Sequence, residues 1–152
     1  MKKSIFLLTI AFATALLHAK DDPDRFLKKI KLTPTLTAVV AEGDWEARSI
    51  GSYTVRLYDT ENAKPGDDTT FYVAGSLRER DGSIETVKLA DIDGDGQPEL
   101  IVTVRNTGTG GYLSADAFAF DKKKLWLRAS VADLDGNADP VAALKKAKLK
   151  KK

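Results

Sequence analysis

Between residues 36 and 134 the chain alternates apolar and polar side chains with period two. Gly, Pro or Asp breaks that alternation every 8–12 residues or so, a rhythm that suits short antiparallel strands and few other structures. "SYTVRLYD" sets Tyr53, Val55 and Leu57 against Thr54, Arg56 and Tyr58, and "ELIVTVR" sets Leu100, Val102 and Val104 against Thr103 and Arg105. Turn signals fall at Glu42-Gly43-Asp44, Pro65-Gly66, Asp81-Gly82 and Asp121-Lys122-Lys123. With "LTAVVAEGD", "TTFYVAGSLRER", "SIETVKLAD", "YLSADAFAF" and "LWLRASVAD", the pattern predicts about eight strands in an all-β, antiparallel sandwich. Only "DPVAALKKAKLKKK" suits a short C-terminal helix, with Asp139 as N-cap and Pro140 at the first helical position. Trp45 and Trp126 sit at strand edges, where core packing is the default expectation.

Upstream of this pattern, Lys2 and Lys3 precede an apolar run from Ile5 to Leu17 and a short polar stretch ending at Ala19. This is the layout of a secretory signal peptide, and the run is too short for the roughly 20 residues that span a bilayer. The expected organisation is a signal peptide over 1–19, a charged leader with at most one helical turn over 20–35, the sandwich domain over 36–140 and a lysine-rich tail over 141–152. An exported domain without cysteine has no disulfide to hold it, so core burial and strand pairing must carry its stability.

Composition excludes several functions. The single histidine, His18, leaves with the signal, which removes Ser-His-Asp and Cys-His catalysis and imidazole-bound zinc or copper. The 24 basic and 22 acidic residues give +2. Removing Lys2 and Lys3 leaves a neutral chain, and setting aside the six lysines among residues 145–152 leaves −6 on residues 20–144. An acidic body favours a cationic partner over nucleic acid. The tail reads as solvated, with anionic lipid as the alternative. The carboxylate pairs Glu79 with Asp81 and Asp116 with Asp121 read as ordinary surface charge, so an enzyme is not expected.

Two loops stand out. "DIDGDGQPE" carries oxygen side chains at Asp91, Asp93, Asp95, Gln97 and Glu99, with Gly96 at the position where a calcium loop turns sharply. Position twelve is Val102, so this is not an EF-hand. The readings are a calcium site, in a secreted adhesion or carbohydrate-binding module, or an Asp-rich turn whose carboxylates bond backbone amides. A weaker echo at Asp133, Asp135, Asn137 and Asp139 has Ala138 in place of the glycine and reads as a turn plus helix cap. The second loop, "RNTGTGGY" from Arg105 to Tyr112, is longer than the two to five or so residues of ordinary hairpins. Thr107, Thr109 and Tyr112 supply hydroxyls, and Gly108, Gly110 and Gly111 leave a slim backbone. Such a tip suits entry into a cleft and hydrogen bonding to carboxylates there; the alternative is a floppy loop over the sandwich end.

"GSYTVRLYDTENAKPGDDTTFYVAG" and "LADIDGDGQPELIVTVRNTGTGGYLSADAFAF", in an exported cysteine-free frame, resemble the periplasmic inhibitors of invertebrate-type (I-type) lysozyme of Gram-negative bacteria. The resemblance spans roughly residues 36–130. It implies a β-sandwich, a periplasmic location, a lysozyme as partner, and homodimers as the family's usual state. It also implies a loop that blocks the enzyme's cleft by contacting its catalytic carboxylates. The family's functional pair, a hydroxyl residue and a tyrosine three apart, falls on Thr109 and Tyr112, with threonine in place of serine. No cofactor is implied.

Overall fold

The computed structural model describes residues 25–150; the signal peptide expected over 1–19 lies outside them. Eight strands form two four-stranded antiparallel sheets, followed by one short helix. The first sheet contains β1 (Leu27–Thr33), β2 (Leu36–Glu42), β3 (Gly51–Asp59) and β4 (Phe71–Arg80) in sequential order. The second contains β5 (Ser83–Ala90), β6 (Glu99–Arg105), β7 (Leu113–Phe120) and β8 (Leu125–Leu134), also sequential. Each sheet is a meander, so every local turn brings together consecutive strands, and the single 81–82 link passes the chain from sheet to sheet.

The inward faces are those the period-two reading marks. Val40, Tyr53, Val55 and Leu57 of the first sheet pack against Ile84, Val87, Leu100, Val102, Val104 and Phe118 of the second. A bulge between Ile84 and Thr86 lets both Ile84 and Val87 reach this core despite their odd spacing. The far face of the second sheet is covered as well. Ile101, Ala115, Ala117 and Ala129 lie beneath α1 (Pro140–Lys146), which contributes Leu144. Strand β6 is therefore buried on both faces, which explains its nearly unbroken apolar sequence.

Three places differ from expectation: residues 27–33, Trp45 and Asp116. Residues 27–33 form an edge strand and not a helical turn: Lys28 and Ile30 pair with Val40 and Ala38, and Leu32 enters the core. In the tail, Lys145, Lys146, Lys148 and Lys150 are exposed, while the backbone is held at residue 150, where the Lys150 N–H donates to the Arg128 carbonyl at 2.6 Å and Arg128 Nη1 donates to the Lys150 carbonyl at 2.8 Å. Trp45 is 88% exposed, in the connection between β2 and β3, where its backbone adopts φ +64; Trp126 is half-buried. The helix itself starts as expected, with Asp139 capping Val141 N–H and Pro140 following.

Asp116, expected at the surface, is only 7% exposed. As the residue two before inward-facing Phe118, it points between the sheets. Its carboxylate accepts from Tyr53 Oη at 2.5 Å, Arg78 Nε at 2.9 Å and Ser130 Oγ at 2.6 Å. Tyr53 and Arg78 belong to the first sheet, Asp116 and Ser130 to the second, so this network ties the layers together. Burial first, and the neighbouring carboxylate second, push the Tyr53 phenol far above its ordinary range, so it stays a donor. Asp116→Ala strands one buried hydroxyl and one guanidinium, and should lower unfolding free energy by about 3 kcal/mol or more. Urea unfolding followed by far-UV circular dichroism measures this directly.

Candidate functional site

Antiparallel order places the connections 43–50, 81–82 and 106–112 at one end of the sandwich, and 60–70, 91–98 and 121–124 at the other. The two loops singled out by sequence therefore lie at opposite ends.

Loop 106–112 continues the β6–β7 ladder by one more bond, Asn106 N–H to the Tyr112 carbonyl at 2.9 Å, and then turns through Gly111 N–H to the Gly108 carbonyl at 3.0 Å. Asn106 ties its base twice: Oδ1 accepts from Gly108 N–H at 2.5 Å, and Nδ2 donates to Asp81 at 2.8 Å. Arg105 braces the returning limb. Its guanidinium pairs with Glu85 at 2.5 and 3.0 Å, and its Nη1 donates to the carbonyls of Gly111 at 2.8 Å and Gly136 at 3.2 Å. The bond to Glu85 raises the already high guanidinium pKa, so this brace is permanently charged.

Glycine is required here for two separate reasons. Gly111 has φ +54, a left-handed conformation. A Cβ on Gly110 would come within 2.3 Å of the Tyr112 ring, so a side chain there would push the ring from its place. The echo turn at 133–139 has a role in this arrangement: a Cβ on Gly136 would come within 2.9 Å of the Gly111 carbonyl oxygen. That turn forms as expected, with Asp135 accepting from Asn137 N–H at 2.9 Å. The loop is thus braced at its base and return limb. Thr107, Thr109 and Tyr112 remain exposed, Tyr112 by 53%, and among the described residues no group engages their hydroxyls.

At the same end, the connection 43–50 is built around Arg80, whose side chain is fully buried. It donates to the carbonyls of Ser52 at 3.0 Å, Arg48 at 2.8 Å, Ala47 at 2.9 Å and Gly82. Glu46 accepts from Ser52 N–H at 2.5 Å and Ser52 Oγ at 2.7 Å, bonds that hold its pKa below the ordinary carboxylate range. Trp45 has φ +64, a strain of order 1 kcal/mol for a bulky residue. Sequence reading missed this frame; the signal available was a basic residue, Arg80, directly before a turn in a strand whose inward face needs a partner.

At the opposite end, Asp91, Asp93 and Glu99 converge, with one carboxylate oxygen of each within 4.8 Å of the others. Asp95 lies outside this group; its Oδ1 accepts from Gln97 N–H at 2.7 Å. The turn glycines Gly94 and Gly96 donate to Asp91 at 2.7 and 3.0 Å, which lowers its pKa. Arg128 donates to Asp93 Oδ2 at 2.7 and 3.0 Å. Glu99 is 3% exposed and accepts from Ile92 N–H at 3.0 Å; burial chiefly, then Asp93 and Asp95, raise its pKa. A hard cation needs six or more oxygens, and here it would compete with the Arg128 guanidinium for Asp93. Thermal melts in millimolar calcium and in chelator should therefore coincide; a higher melting temperature in calcium would show the cation winning that exchange.

The raised pKa of Glu99 has a definite sign. A carboxyl that binds its proton more tightly when folded adds stability at low pH and loses it as pH rises through the folded value. Glu99→Gln keeps an acceptor for Ile92 and removes the buried charge, so it should melt higher than the parent at pH 7. That advantage should shrink as pH falls through the raised folded value and approach zero below 4.5, the ordinary value for the group. Paired melting curves across this range test it.

The family model of the periplasmic lysozyme inhibitors of I-type lysozyme, PliI, matches residues 24–148. A crystal structure of such an inhibitor from Aeromonas hydrophila is similar at 42% identity, with a TM-score of 0.73 over 78% of this chain and 98% of that one. The Aeromonas hydrophila inhibitor in complex with Meretrix lusoria lysozyme is similar at 43% identity, with a TM-score of 0.71 over 79% of this chain and 95% of that one. No curated protein sequence matches.

Proposed function

The chain belongs to the PliI family, the periplasmic lysozyme inhibitors of I-type lysozyme, and from that premise we propose that it acts by inserting loop 106–112 into the enzyme's cleft. It is a periplasmic inhibitor that binds lysozyme, and not an enzyme. Among the described residues no helix is long and apolar enough to cross a membrane. The observation that carries the mechanism is the contrast within the loop: its backbone is braced by Arg105, Asn106 and Gly136, while its hydroxyls face outward.

Lysozymes cleave glycosidic bonds with a carboxylic acid and a second carboxylate across the scissile bond. In this reading the hydroxyls of Thr109 and Tyr112 donate to those groups, each charge-assisted bond contributing about 1.5–3 kcal/mol. The brace matters because a loop already held in one shape gives up little conformational freedom on binding. Without a side chain, Gly110 leaves the Tyr112 ring room close to the backbone, which keeps the tip thin enough to enter a groove shaped for a sugar chain. The −6 charge on residues 20–144 adds attraction for a cationic enzyme during approach.

Tyr112→Ala should weaken inhibition of an I-type lysozyme by about 10- to 1,000-fold, and Thr109→Ala by less, with circular dichroism and melting temperature unchanged. Cell-wall turbidity assays with each variant, run against I-type and other lysozyme classes, give the measurement. Parent-like inhibition by both variants would remove the loop from the mechanism.

A further inference from the structure

The end of the sandwich that carries loop 106–112 also displays Trp45, 88% exposed with φ +64. A large aromatic ring in water and a left-handed backbone at a non-glycine residue are both unfavourable, and here they coincide at one position. Slack in the connection does not explain this. Arg80 holds four of the surrounding carbonyls, and the Glu46 carboxylate fills the space where side chains on Gly43 and Gly51 would stand. The frame holds the backbone that follows Trp45, and the ring stands exposed. Ile50, on the same connection, is 64% exposed.

This frame is also joined to the root of the inhibitory loop. The Ser49 carbonyl accepts from Gly82 N–H at 2.8 Å, Gly82 lies against the Arg105 carbonyl, and neighbouring Asp81 accepts from Asn106. Trp45 and Tyr112 are therefore presented from one end of the molecule by backbone segments that hydrogen bonds connect.

We propose that Trp45, with Ile50, is a second lysozyme contact that seats on apolar surface at the rim of the cleft and sets selectivity for I-type enzymes. This rests on the reading of loop 106–112 as the element that enters the cleft. Its chemical basis is that lysozymes share their acid pair, so hydroxyls aimed at those acids cannot by themselves distinguish one class from another. A rim contact touches surface that the chemistry leaves free to vary. Tryptophan suits the task, because it buries a large area while surrendering few rotamers, and such residues dominate interface energetics.

The test is Trp45→Gly beside Tyr112→Ala. Glycine relieves the strain at φ +64, so Trp45→Gly should melt at or above the parent temperature. It should nevertheless bind an I-type lysozyme about 10- to 100-fold more weakly by calorimetry, a combination that a merely structural residue would not give. In 5-fluorotryptophan-labelled protein, the Trp45 fluorine signal should lose its solvent isotope shift when that lysozyme is added. Parent-like affinity of Trp45→Gly, with Tyr112→Ala impaired, overturns this inference and leaves the loop mechanism standing. Parent-like affinity of both variants overturns the two together. A Trp45→Gly effect confined to self-association, read by sedimentation with lysozyme affinity intact, assigns the ring to a second copy and also overturns it.

Discussion

The carboxylate of Asp116 is the tie on which the two-layer arrangement depends. Apolar packing between sheets is strong but slides easily, because one methyl group is much like another. A buried carboxylate that takes Tyr53 and Arg78 from one layer and Ser130 from the other has one satisfactory position. Glu42 does similar work near the loop-bearing end, accepting from Ile84 N–H at 2.6 Å across the sheets. In a chain with no cysteine, these polar ties take over the registration that disulfides give many exported β-sandwiches.

Registration matters because the working end of the molecule is assembled from both layers. The connection 43–50 belongs to the first sheet, loop 106–112 to the second, and the 81–82 link is the seam between them. Arg80, Asp81 and Gly82 each bond to or touch a different part of that end. A slip of one residue between the layers would separate these parts while leaving each sheet internally intact. The polar network in the interior and the geometry at the tip are thus one problem, solved by the same strands.

Much of this was legible in the sequence, and the reasons are local. Tyr53, Val55 and Leu57 alternate because a half-buried strand must, and Asp139-Pro140 opens a helix because the two residues cap and start one. The loop from Arg105 to Tyr112 was visible through its length and glycines. What escaped is non-local. Leu27–Thr33 looks like a charged leader until β2 is there to pair with it. Asp116 looks like surface charge until Tyr53 and Arg78, distant in sequence, arrive from the opposite sheet. In the Asp91 loop, spacing shows that Asp91, Asp93 and Glu99 come near one another, but not that Arg128 arrives from β8 to pair with Asp93. The brace from Arg105 to Gly136 depends on a turn 31 residues away, and period-two patterning carries no record of it.

The docked C-terminal segment gives the molecule a handle. Residue 150 lies against Arg128, in the half of β8 nearer the 121–124 turn, whereas loop 106–112 opens at the far side of the same sheet. Arg128 stands level with Ala117 and Phe118 of β7, four to five residues from Leu113 beside the loop, about 15 Å of extended chain. A bead, surface or fused domain attached behind residue 150 would hold the protein by its base and leave the tyrosine-bearing tip directed into free solution.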